Sequence, residues 1–137
     1  AGGEPRVIVC SWIVCADSEE EARRLAASSR MSLALLRRGR LIEIPPPEKA
    51  LRFLEHEGLL DDAAAGGEAG GRRWIVGTPD QVREQVEALA RDYGADEVMA
   101  VTITYDHAAR RRSYELLAEA FGLARGGPCA PRRRLSR

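Results

Sequence analysis

The ten residues from Val7 to Ala16, VIVCSWIVCA, carry no charge and are rich in β-branched side chains. That pattern predicts a strand buried on both faces, as in a parallel sheet. The run is too short to cross a bilayer. It stops at Asp17-Ser18-Glu19-Glu20-Glu21, where Ser18 and Glu21 have the spacing of a capping box. The carboxylates there suit the positive end of a helix dipole. Ala22, Leu25, Ala26, Ser29, Leu33 and Leu36 then recur at helical spacing, and Gly39 is placed to stop the helix. The opening unit is a strand followed directly by a helix.

A less regular stretch follows, at about 40–72. Pro45-Pro46-Pro47 favours an extended segment, Ala50 to Leu60 a short helix, and Ala63 to Gly71 (AAAGGEAGG) a flexible surface loop. The second unit starts at Trp74, and its helix carries Val82, Val86, Leu89 and Tyr93 as an apolar stripe, with Gly94 at the left-handed cap. The third is a strand from about Glu97 to Tyr105 and a helix bearing Tyr114, Leu117 and Phe121. In that strand Val98, Ala100, Thr102 and Thr104 share one face, and the bulkier Met99, Val101, Ile103 and Tyr105 share the other. The bulky set is expected against helices. Three such units in series imply an α/β fold of parallel strands alternating with helices.

The chain's 137 residues, 45% of them hydrophobic, suit one domain with a sizeable core. Its 21 basic and 21 acidic residues cancel, which argues against a general nucleic-acid or membrane-surface binder. Residues 126–137 read as a basic, disordered tail, with Arg132, Arg133, Arg134 and Arg137 solvated. Cys10 and Cys15 fall on opposite faces of one strand, ~17 Å apart, too far for a disulfide. With Cys129 in the tail, this is the cysteine usage of a reduced, cytoplasmic chain. The chain opens with Ala1 rather than methionine, which agrees with an excised piece, although removal of methionine before alanine is also ordinary.

Trp74 to Val82, WIVGTPDQV, places a glycine between a strand and a helix, where many proteins hold phosphate. A Walker loop needs two spaced glycines and Lys-Ser or Lys-Thr, and a dinucleotide loop needs three glycines. Neither is present. Thr78 at the cap, Pro79 at the first helical position and Gln81 three residues after the cap give each residue a structural task. His56 reads as a surface residue. His107 follows the third strand directly, at the strand end where chemistry collects in parallel α/β proteins, although Asp106 as a helix cap explains the same pair. No metal set and no nucleophile elbow appear. Composition and spacing reach an α/β domain and stop there.

Four segments, VIVCSWIVCADSEEEARRLAAS, LLRRGRLIEIPPP, VGTPDQVREQVEALARDYGADEVMAV and YDHAARRRSYELLAEAFG, occur in that order. From about Pro5 to Gly122 the chain resembles the carboxyl-terminal portion of luciferase-like flavin-dependent monooxygenases. The resemblance implies the last three units of a (β/α)8 TIM barrel that binds reduced flavin mononucleotide (FMN), or a deazaflavin, and acts as an oxidoreductase. Everything matching the first five units is absent, including the family's catalytic histidine and much of its flavin-phosphate site. No residue here is therefore expected to be catalytic, and the chain alone is expected to hold no cofactor. Trp12, Thr104 and His107 are the candidate flavin contacts, while core or lumen packing is the plainer reading of Trp12 and Thr104. The expected partners are the missing amino-terminal half of the barrel or a second copy. Flavin and a small-molecule substrate are partners of the complete protein.

A closed barrel needs about 250 residues. Three strands cut from one would leave about 250 Å² of inner face, worth about 6 kcal/mol if exposed. The isolated piece is expected to pair, rearrange or be poorly stable. The competing function is a non-catalytic module that dimerises through its sheet. A flavodoxin-like or receiver domain would require an acidic cluster or phosphate loop at the strand ends, and neither appears.

Overall fold

The computed structural model describes residues 5–60 and 74–123. In chain order it contains β1 (Ile8–Cys15), α1 (Glu19–Arg37), α2 (Pro47–His56), β2 (Trp74–Gly77), α3 (Pro79–Tyr93), β3 (Glu97–Val101) and α4 (His107–Ala120). The three strands are parallel and lie in the order β2-β1-β3. The α/β class and the strand-helix alternation are as expected. The tail at 126–137, Cys129 and the 63–71 loop lie outside the described residues, as does most of the second half of the 40–72 stretch.

The strand order departs from the expectation of consecutive barrel units, which stand side by side with every helix on the outside. Here β1 occupies the centre. Its carboxyl half pairs with β2, from Trp12↔Trp74 to Cys15↔Gly77, and its amino half with β3, from Ile8↔Glu97 to Trp12↔Val101. Placing β2 and β3 on opposite edges sends successive right-handed crossovers to opposite faces. The cores agree. Ile13, Cys15 and Ile75 pack with Val82, Val86 and Leu89 of α3 and with Leu116 and Leu117 of α4. On the other face Val14 and Ala16 pack with Ala22, Leu25 and Ala26 of α1. A third cluster joins Ala27, Met31 and Leu35 of α1 to Ala50 and Leu54 of α2.

This arrangement corrects two expectations. β1 is buried on both faces only at its carboxyl end, and at its amino end Ile8 is 55% exposed and Cys10 is exposed. The faces of β3 are also reversed. Val98 and Ala100 pack against the α3–α4 core, while Met99 is 56% exposed. Side-chain bulk favoured the other choice, but α3 crosses to the face that carries Ile13, and the register of β3 follows. The inner face is therefore covered in part by α1, and what stays open is the patch of Ile8, Cys10 and Met99.

The helix signals are read mostly as expected. Ser18 Oγ accepts from Glu21 N–H at 3.2 Å, but the Glu21 carboxylate turns to Arg24 at 2.8 Å instead of closing the box. α1 ends with Gly39 at φ 76 and α3 with Gly94 at φ 56, a left-handed conformation that glycine adopts without strain. Pro47 opens α2 at its first helical position, where its missing N–H costs nothing. Leu36 and Tyr93, expected on buried stripes, are 51% and 55% exposed.

Candidate functional site

The candidate residues lie toward the carboxyl end of the sheet. Trp12, half-buried in mid-strand, meets Trp74 of its neighbour edge-on, with ring centroids 4.4 Å apart and planes at 70°. This is the favourable T-shaped arrangement of two rings with opposed quadrupoles. Beyond β3 the chain is pinned to β1. Buried Thr102 donates its hydroxyl to Ile13 O at 2.7 Å, and its N–H is donated to Tyr114 Oη at 3.1 Å. The Cys15 N–H, past the reach of β3, is donated to Ser113 Oγ at 2.9 Å. Ser113 is fully buried, one turn before Leu116 and Leu117 on the inner face of α4. Its place on that stripe was readable from spacing, but its polar task was not.

Thr104 donates its hydroxyl to Asp106 O at 2.8 Å, so its proton is already committed. Asp106 caps α4, with Oδ2 accepting from Ala109 N–H at 2.7 Å, and His107 is exposed in the first helical turn. Thr104 and His107 thus share one turn, while Trp12 stays on the sheet. His56 is a surface residue, 3.6 Å from Glu57. Among the described residues no cluster of three or more His, Cys, Asp or Glu side chains could hold a metal ion. No described helix is long and apolar enough to cross a membrane.

Sequence reading did not anticipate the pair of Asp17 and Arg112, which joins the end of β1 to α4 through Nη2 at 2.7 Å and Nε at 3.2 Å. The arginine hydrogen bonds hold the Asp17 carboxyl below its ordinary value. Burial, reinforced by the Asp17 charge, pushes the Cys15 thiol up to about 11. At neutral pH Cys15 is therefore a protonated core residue and no nucleophile.

The turn WIVGTPDQV is a helix start. Thr78 and Gln81 form a capping box, with Thr78 N–H donated to Gln81 Oε1 at 3.0 Å. Gly77 leaves room for this contact: a Cβ at this position would lie 2.5 Å from that same oxygen, so a larger residue would have to displace the Gln81 side chain.

No family model matches the chain. It is 37% identical over 120 residues to YwcH of Bacillus subtilis strain 168, an uncharacterized protein, covering 88% of this chain and 35% of YwcH. It is 30% identical over 117 residues to a luciferase-like monooxygenase of Escherichia coli K12, covering 82% of this chain and 32% of that protein. It superposes on the crystal structure of apo-MsnO8 with a TM-score of 0.72 at 35% identity, over 88% of this chain and 36% of the other. The chain thus spans about a third of the length of the relatives it matches. These matches support a carboxyl-terminal portion of the luciferase-like monooxygenase family.

Proposed function

We propose that the chain is the carboxyl-terminal part of a flavin-dependent monooxygenase and lacks activity alone. The observation that carries this reading is the match over about a third of each relative, joined to a sheet that is open at both edges and over Ile8, Cys10 and Met99. Residues supplied by the remaining units would cover that surface and complete the site.

Reduced FMN, when bound in the complete protein, supplies the electrons for oxygen activation. The residues present fit one wall of such a site. The indole of Trp12, braced by Trp74, offers a flat apolar surface. The Thr104 oxygen can still accept a hydrogen bond although its proton is committed to Asp106, and exposed His107 can donate or accept at the rim. Holding a ring and its phosphate through one wall does not offset the loss of the ligand's freedom.

Titrating FMN fluorescence against the chain, with and without the amino-terminal units of a parent protein supplied in trans, tests the reading. The chain alone should leave the fluorescence unchanged, and addition of the partner should quench it. Micromolar binding by the chain alone would make it a flavin-binding module in its own right. A second reading, a non-catalytic module that self-associates through the open face, is favoured by the exposure of Ile8 and Met99. It requires a concentration-dependent dimer in sedimentation, with no FMN binding in either arm.

A further inference from the structure

We infer that the cleft bounded by the carboxyl half of α1, the 40–46 connection, α2 and Tyr105 binds a small organic anion with an aromatic or other apolar body. The cleft has a volume of about 650 Å³, within the ~300–1,000 Å³ range of small-molecule sites. Buried Met31 and Leu35 and half-buried Phe53 form its apolar wall, with Tyr105 at its edge, 55% exposed. Such a wall takes up the body of a ligand but gives it no orientation.

Orientation comes from charge. Arg40 and Lys49 both line the cleft and both are exposed. Among the described residues neither has a carboxylate partner, whereas Arg24, Arg38, Arg83 and Arg112 each have one. Among the described residues of the lining Glu43 is the single acid, so there two cations face one anion. An anionic end group at the mouth meets this unspent positive charge while keeping part of its own hydration, which avoids the heavy cost of burying an ion. A neutral ligand of the same shape gains only the apolar contact. The selectivity is for charge, and it is independent of whether the parent uses flavin.

The test is calorimetric titration of the 137-residue chain at low ionic strength with 2-naphthoate and with uncharged 2-naphthalenemethanol. The carboxylate should bind about tenfold tighter, a difference of ~1.4 kcal/mol. The double variant Arg40→Ala/Lys49→Ala should erase that preference. Both side chains are exposed, so far-UV circular dichroism and Tm should stay unchanged. Met99→Gln, on the open sheet face, should leave both affinities as they were. Equal affinity for the two probes would overturn the inference, as would a preference that survives the double variant, binding lost in Met99→Gln, or no binding of either probe at millimolar concentration. FMN titration reads out separately, so failure here and failure of the flavin reading are distinguishable.

Discussion

Gly77 and Gln81 show how one residue's absence of a side chain serves another's. The Gln81 amide occupies the space where a methyl group on Gly77 would stand, and it uses that place to accept the Thr78 N–H. Gly77→Ala should therefore cost about 1 kcal/mol, the usual worth of a cap. Gln81→Ala should cost less in that background than alone, because the bond is already displaced. A double-mutant cycle by urea denaturation reads the coupling, and full additivity would separate the glycine from the cap. Cys15 gives a second residue-scale prediction. Its folded thiol titrates at about 11 against an ordinary value of 9.0. Between those limits the unfolded chain has released a proton that the folded chain retains, so stability is intact below pH 9 and falls as pH rises toward 11. Two pH units correspond to at most about 3 kcal/mol. Cys15→Ala should flatten that part of the stability profile, measured by denaturant midpoints from pH 8 to 11.

At the scale of elements, the strands and helices were legible where local chemistry defines them. The uncharged run of β1, Ser18 before α1, Thr78-Pro79 before α3 and Gly94 after it all mark their own boundaries. Strand order was not legible, because a parallel strand's edges are backbone and its sequence does not name its neighbours. The face of β3 was misread for a related reason. Of the five residues of β3 only Glu97 is charged, and the apolar side chains on both faces contain no strong period, so side-chain bulk is a weak guide and the destination of α3 decides the outcome. At the candidate site, sequence put Thr104 within the third strand and His107 directly after it, whereas β3 ends at Val101 and the two share the turn beyond it. It missed Ser113 and the Asp17–Arg112 pair, contacts between positions 95 or more residues apart. Paired substitutions test the face of β3. Val98→Asp should destabilise by several kcal/mol, since it places a charge against the α3–α4 core. Met99→Asp should stay within about 0.5 kcal/mol, as exposed positions do. The opposite ranking in chemical denaturation would restore the assignment made from side-chain size.

For the whole molecule, the question is what the remaining open face is for. A barrel keeps its sheet closed, yet this chain covers part of one face with α1 and leaves Ile8, Cys10 and Met99 adjacent and exposed, with Cys10 and Met99 in register. In the isolated chain these positions are in water, so charge there is tolerated. In an assembled parent the same positions would lie under the units that complete the site, where an unpaired cation is costly. The variant Ile8→Lys/Met99→Lys separates the two states. Alone, it should melt within a few degrees of the unsubstituted chain, consistent with changes at exposed positions. When the amino-terminal units are supplied, it should fail to restore FMN quenching, while a variant with the same net charge at exposed Glu55 and Asp92, Glu55→Gln/Asp92→Asn, should restore it. Sedimentation of the isolated chain separates the remaining alternative, because loss of a dimer on the same substitution would assign the face to self-association. Quenching that survives the Ile8→Lys/Met99→Lys change would mean that the missing units dock elsewhere, on the open edges of β2 or β3, and that this patch is exposed in the parent as well.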